Sequence, residues 1–297
     1  MQIVDPHHHL WDLERHEYAW LKPSTRHPAG DLAPICKSYL LDDYLADAAA
    51  VHLVKSVHLQ AAMADPVEET AWLQGLADDP GGHGFPHAIV AYADLADPGV
   101  DAVLERQCAY PNVRGIRFMV NFIEDEPLYC MTDRGDWLRD PQWQRGYALL
   151  EKHGLSFDLQ VYHHQMADAA ALAARHPGIS VLLNHAGLPV RRDPAYLDAW
   201  RAGMRTLAER PNIAAKISGL NMFHHDWTVD VFRPFVLDTI EIFGVERCMF
   251  ASNFPMDKLH ADFGAIWRAF DQITADFSEA ERRKLFHDNA RHFYRLG

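Results

Sequence analysis

Eight short apolar and β-branched runs recur along this chain, each followed by a longer stretch with helical spacing. This alternation restricts the fold more than any other feature. The runs predict strands near 2–9, 54–60, 87–94, 113–120, 155–162, 179–185, 212–218 and 247–253. Helices are expected near 41–50, 66–78, 98–110, 141–153, 165–176, 194–209, 229–243 and 262–276. A last one, 279–294, opens on the capping-box pair Ser278 and Glu281. Helix-ending punctuation precedes several strands, as in His153-Gly154, His176-Pro177-Gly178 and Arg210-Pro211-Asn212. Ile179-Ser180-Val181-Leu182-Leu183 brings apolar side chains to both faces, as a parallel strand covered by helices requires.

Eight such units without a composition break predict an α/β fold, a single (β/α)8 barrel of the TIM type over residues 1–297. Its active site is expected at the C-terminal ends of the strands. An open doubly wound sheet is the alternative, but no GxGxxG follows a strand and no GxxxxGK[ST] occurs. The segment 10–40, with Pro23, Pro28, Gly30 and Pro34, is a long excursion after the first strand. In a barrel such a loop sits over the active-site mouth.

Charge and composition narrow the partners. A formal charge of -13, from 28 basic and 41 acidic side chains, disfavours nucleic acid and anionic lipid. No apolar run reaches the about 18 residues of a membrane span. Met1-Gln2-Ile3-Val4-Asp5 lacks the basic and apolar regions of a signal peptide. Cys36, Cys108, Cys130 and Cys248 form no CxxC pair, so reduced, mostly buried thiols are expected. A cytoplasmic protein with a small-molecule substrate follows, and a homo-oligomer stays open.

Alternate strand residues share a face, so each strand can be read as an inward row. The rows are Asp5, His7, His9; Ser56, His58, Gln60; Gly115, Arg117, Met119; and Asp158, Gln160, Tyr162. The last three strands give Val181, Leu183, His185; Ala214, Lys216, Ser218; and Met249, Ala251, Asn253. The opposite register would turn Asn184 and Ser252 inward. Polar groups inside a barrel are costly unless paired or bound to something, so their convergence marks a site. His7-x-His9 can chelate one cation, with His185 available across the barrel, and imidazole nitrogens suit zinc. A hydrogen-bonded histidine cluster that works without metal is the alternative. His58, Gln60, Arg117, Gln160, Tyr162 and Lys216 are the candidate substrate contacts. Arg117 and Lys216 would clamp an anion or carbonyl oxygen, or Lys216 would instead pair internally with Asp158. Trp11, Trp20 and Phe254 are further candidates for a pocket wall. No GxSxG elbow and no HExxH occurs.

These residues carry a resemblance. Asp5-Pro6-His7-His8-His9-Leu10-Trp11-Asp12 is similar to the opening of the amidohydrolase-related metal-dependent hydrolases. The branch it resembles contains sugar-acid lactonases and 2-pyrone-4,6-dicarboxylate lactonase. The likeness continues through Ser56-Val57-His58-Leu59-Gln60-Ala61, Val113-Arg114-Gly115-Ile116-Arg117 and Phe157-Asp158-Leu159-Gln160. Asn184-His185-Ala186-Gly187-Leu188-Pro189, Lys216-Ile217-Ser218-Gly219-Leu220 and the run from Arg247 to Pro255 complete it. The resemblance implies the same barrel, His7, His9 and His185 as metal ligands or water-orienting groups, and Arg117 as a substrate contact. It also implies a strand-eight aspartate as base, in a Gly-Ser-Asp-Trp-Pro run that here reads Ala251-Ser252-Asn253-Phe254-Pro255. An amide can ligate or hydrogen-bond but cannot take a proton at neutral pH. Asp257, four residues on, and His185 are the remaining candidate bases. Gln160 stands where the wider superfamily has a histidine, so at most one divalent metal is implied, zinc by its ligands, with metal-free operation open. The expected function is hydrolysis of a small lactone or related cyclic ester or amide. The alternatives are a decarboxylating lyase of the wider family and a barrel that binds a metabolite without catalysis.

Overall fold

The computed structural model describes all 297 residues. Its eight strands are β1 (Gln2–His8), β2 (His52–Leu59), β3 (Ala88–Ala91), β4 (Val113–Arg117), β5 (Ser156–Leu159), β6 (Val181–Leu183), β7 (Ile213–Ile217) and β8 (Cys248–Phe250). Each pairs in parallel with the next in chain order. The ring closes where the Asn253 N–H donates to the His7 carbonyl at 2.8 Å and the His9 N–H donates to the Phe254 carbonyl at 2.7 Å. The molecule is a (β/α)8 barrel.

The outer layer is α1 (Leu41–Asp47), α2 (Pro66–Asp78), α3 (Val100–Cys108), α4 (Pro141–Lys152), α5 (Met166–Arg175), α6 (Pro194–Ala208), α7 (Val229–Phe243) and α8 (Phe263–Ile273). Asp65, Asp140 and Asp193 each cap a helix with a carboxylate on first-turn N–H groups, followed at once by proline. The segment 279–293 is helical throughout, but a π-helical turn at Lys284–Asp288 lies between α9 (Glu279–Arg283) and α10 (Asn289–Phe293). Beyond it, Ala290, Tyr294 and Leu296 plug the lower end of the barrel against Val4, Val57, Leu59, Leu182 and Met249. Each such aliphatic side chain, once buried, contributes roughly 1.5–3 kcal/mol.

That inner cluster corrects three of the expected rows. In β2, Val57 and Leu59 point inward, so Ser56 and His58 face the helices. In β6 the inward residue is Leu182, beside Asp158 and Ala214, while Val181 and Leu183 join the outer core. In β1, Val4 is inward and Asp5 outward, where Asp5 accepts from Tyr44 Oη of α1 at 2.8 Å and from Ser252 Oγ at 2.6 Å. A bulge follows: Asp5 pairs with Ser56 and His8 with His58, so one extra residue in β1 resets the alternation. His7 thereby returns to the inside. His8 stacks on Tyr44 with 4.1 Å between ring centres.

The strands also stop short of the expected ends. At the top of β6 and β8 the chain turns through left-handed backbone, with φ of 54° at His185 and 56° at Asn253. Of the four thiols, all unpaired, only Cys248 is fully buried; Cys108 is exposed. No helix is long and apolar enough to cross a membrane.

Candidate active site

A cavity of about 420 Å³ opens at the C-terminal end of the barrel. The segment 10–40 does overhang it and contributes Trp20, Thr25, Arg26, His27 and Pro28. At its base lie His9, Arg117, Gln160, Tyr162, His185 and Asn253. These six and Trp20, all singled out from the sequence, therefore meet here.

Three imidazoles are held by one ring nitrogen each. The Nδ1–H of His9 donates to the Leu59 carbonyl at 2.7 Å, and His185 Nδ1 meets Ser218 Oγ at 2.9 Å. His7 Nδ1 lies 3.2 Å from the Lys216 ammonium, and its Nε2 is buried without a partner. Burial pushes the basicity of all three well below the ordinary histidine value. The charge of Lys216 lowers His7 and His185 further, and that of Arg117 lowers His9. The rings are accordingly neutral near pH 7.

His185 reaches the cavity against the alternation of β6 because its positive φ swings the side chain round. Gly219 makes room for it. A Cβ at that position would sit 2.6 Å from His185 Nδ1, and φ there is +62°.

The two cations differ. Lys216 is wholly buried beneath the floor, 2.5 Å from Asp158 Oδ1, and Tyr294 Oη donates to the same oxygen at 2.8 Å. Burial pulls the Lys216 ammonium down to about 8 against the opposing pull of Asp158. Its place is that of an internal ion pair. Arg117 is 5% exposed, donates to the Gln60 carbonyl, and leaves Nε without a partner. No carboxylate touches it. Burial lowers its guanidinium to about 10, so it stays charged, the one cation aimed unpaired into the base of the cavity.

His58 and Gln60 do not reach the cavity. His58 Nε2 accepts from the Leu10 N–H at 2.8 Å and steers the chain out of β1. Gln60 Oε1 accepts from the Ala62 N–H at 2.7 Å, while its carbonyl holds Arg117. Asp257 is also withdrawn. It lies behind Asn253 and accepts from Asn253 Nδ2 at 2.7 Å, and burial drives its carboxyl well above the usual carboxylate range. Trp11 is turned away, its Nε1–H donating to the Lys37 carbonyl, and Phe254 is packed in the core.

Several lining residues carried no sequence signal. Asn121, in the loop after β4, accepts from Gln160 Nε2 at 3.2 Å. Met131, Met222, Phe223 and Met256 likewise come from strand-end loops, while Met119 continues the inward row read for β4. Loop residues have no period to betray their direction.

By chemistry the donor set fits one metal ion. Tetrahedral imidazole ligands with metal–nitrogen bonds of about 2.0–2.1 Å hold their ring centres about 5 Å apart. His7 stands 5.1 Å from His9 and 4.5 Å from His185. As placed, however, no group of three or more His, Cys, Asp or Glu closes round an ion. A neutral ring has one donor and one acceptor nitrogen. A His7 that ligates through Nε2 must therefore point Nδ1–H at Lys216 and cannot accept from its ammonium.

Comparison with known proteins agrees with the geometry. The chain is 47% identical to the uncharacterized protein y4mH of Sinorhizobium fredii, covering 99% of this chain and 98% of that one. It is 27% identical to an L-fucono-1,5-lactonase of Burkholderia ambifaria over 99% of this chain and 95% of the relative. The crystal structure of an amidohydrolase from Burkholderia multivorans with bound zinc superposes with a TM-score of 0.82 at 26% identity, with both chains covered completely. The model of the Amidohydrolase family matches residues 4–296. From its closed barrel to its strand-end histidines, this chain is a member of the Amidohydrolase family.

Proposed function

We propose that the chain opens the ring of a small lactone, or of a related cyclic ester or amide, by hydrolysis. The observation that carries this is Arg117, a buried guanidinium with no carboxylate partner and a free Nε beside neutral imidazoles. Such a group stabilises negative charge growing on a carbonyl oxygen, where a low-dielectric site makes it most effective. In this mechanism the ring carbonyl lies against Arg117. A water on the opposite side is positioned by the Asn253 amide oxygen and loses a proton to His185 Nε2. The tetrahedral centre then collapses, the ring oxygen leaves, and His185 returns the proton to it. The new carboxylic acid releases its remaining proton to solvent, leaving a carboxylate beside Arg117 and a hydroxyl on the same molecule. Ser218 keeps the His185 ring turned for both transfers. Because Asp257 Oδ1 accepts from Asn253 Nδ2, the Asn253 amide turns its oxygen toward the cavity. Gln160 and Tyr162 complete the substrate pocket, and Lys216 orients His7 from below.

A divalent ion such as zinc, held by His7, His9 and His185, would polarise the carbonyl or acidify a water, and His185 would then serve as a ligand instead of the base. The lactonase relative supports a ring-opening substrate, and the zinc-bearing neighbour supports a metal.

One observation favours a second reading. Residue 253 is not a carboxylate, which suits a lyase that needs no proton taken from water. The test is elemental analysis of protein purified without chelator, together with a lactone panel followed by acid release. Turnover of lactones is expected. Carbon dioxide release from an aromatic or enoic acid, with every lactone untouched, would overturn the hydrolytic reading.

A further inference from the structure

We infer that the substrate carries an apolar body, aryl or alkyl, on its lactone ring, rather than the hydroxyls of a sugar acid. This rests on the hydrolytic reading above and adds the class of molecule. Although the chain's formal charge is -13, no aspartate or glutamate lines the cavity, whereas two arginines, Arg26 and Arg117, do. Aspartates and glutamates are the side chains that accept from several hydroxyls at once, and here the cavity wall has none.

Below the overhanging 10–40 segment, which itself brings Thr25, Arg26 and His27 to the cavity, the free polar atoms are few. They are Arg117 Nε, Gln160 Oε1 and the untethered nitrogens of His9 and His185. That supply suits one ester group and its carboxylate product. Asn121 is spent within the wall, since it accepts from Gln160 and its Nδ2 lies 3.4 Å from both the Tyr129 carbonyl and Tyr162 Oη.

Above the base, the wall changes character. Met119, Leu128, Met131, Met222, Phe223 and Met256 face the cavity and offer no strong hydrogen-bonding atom. A sugar hydroxyl pressed against them would lose its water without replacement, a loss of roughly one to two powers of ten in affinity. Methionine adapts to irregular apolar shapes and packs well against aromatic rings, so four thioethers on one wall suit a ring or branched alkyl group. The cavity volume, about 420 Å³, leaves room for such a substituent beside the ester.

The experiment compares a phenyl-substituted δ-lactone with a polyhydroxylated sugar δ-lactone of the same ring size. The expected kcat/KM is at least tenfold higher for the phenyl compound. Met222→Gln and Met131→Gln should each raise KM for it several-fold and leave kcat nearly unchanged. Because a variant can misfold, the unaltered protein is also titrated calorimetrically with 3-phenylpropionate and with gluconate, and only the former should bind. Faster turnover of the sugar lactone, or preferential binding of gluconate, overturns the apolar-substrate inference while hydrolysis stands. Binding of 3-phenylpropionate with no lactone turned over supports the substrate class and removes the reaction instead.

Discussion

Asn253 donates its side-chain N–H to Asp257 at 2.7 Å, so the carboxylate of this site stands one residue behind the position that faces substrate. The amide is the contact and the acid is its support. Asp257→Ala should therefore act through Asn253. Leaving that buried amide unpaired should cost about 1–3 kcal/mol in urea denaturation. With the amide free to rotate, kcat should fall about tenfold or more while KM moves little. Unchanged kcat in a folded variant would separate Asp257 from the site.

Asn253→Asp places a second carboxyl beside the first. Two carboxyls at that distance share a proton, raising the apparent value of one. A folded-state value above the unfolded one means stability that is present at low pH and lost as pH rises. The variant should match the parent near pH 5 and fall below it by roughly 1–3 kcal/mol at pH 8–9. Equal denaturation midpoints at both ends would contradict the shared proton.

Arg117→Lys keeps a charge but loses the planar fork that reaches the Gln60 carbonyl and the cavity together. The expected loss in kcat/KM is about 10²–10³-fold, most of it in kcat, as for removal of an oxyanion donor. A change confined to KM would make Arg117 a binding group alone.

Gly219→Ala tests how His185 is held. The new methyl would meet His185 Nδ1 at 2.6 Å, on a backbone with φ of +62°. Loss of activity by at least tenfold is expected, with about 1–2 kcal/mol of stability lost to the left-handed backbone. Full activity would mean that the ring can move without consequence.

Glu69 gives the pH profile of stability. It is buried, accepts from the Ala61 N–H at 2.7 Å, and burial raises it from 4.5 to about 7. The folded state thus holds a proton that the unfolded chain releases between these values, so stability falls as pH rises through that window. Glu69→Gln should remove roughly 3 kcal/mol of that decline between pH 5 and pH 8. Parallel curves for parent and variant would refute the shift.

How much of this could be read from residues alone depended on whether a position lay within a strand or past its end. The barrel was legible because eight apolar runs and their helix stops obey short-range rules. Arg117, Gln160 and Lys216 were placed on the correct face, since β4, β5 and β7 keep simple alternation. His58 and Leu183 were placed on the wrong one. His58 was misjudged because alternation alone does not say which of the two rows of β2 faces inward, and burial of Val57 and Leu59 decided it. His7 came out right for a reason alternation does not contain, a bulge that compensates for Asp5 facing outward. His185 and Asn253 reach the cavity through left-handed backbone, which a two-residue period cannot express. The methionine wall comes from three loops that only the closed barrel brings together.

The plug at the lower end of the barrel has a consequence for how the site comes into being. Tyr294 holds Asp158, Asp158 holds Lys216, and Lys216 touches His7. His7 and Tyr294 lie 287 residues apart along the chain. The floor of the active centre is thus a contact of nearly maximal separation along the chain, the kind that forms late in folding. The outer helices can order from short-range contacts, but the histidines wait until the segment around Tyr294 has turned back under the barrel. Activity should then return in one late step of refolding, after the helices have formed.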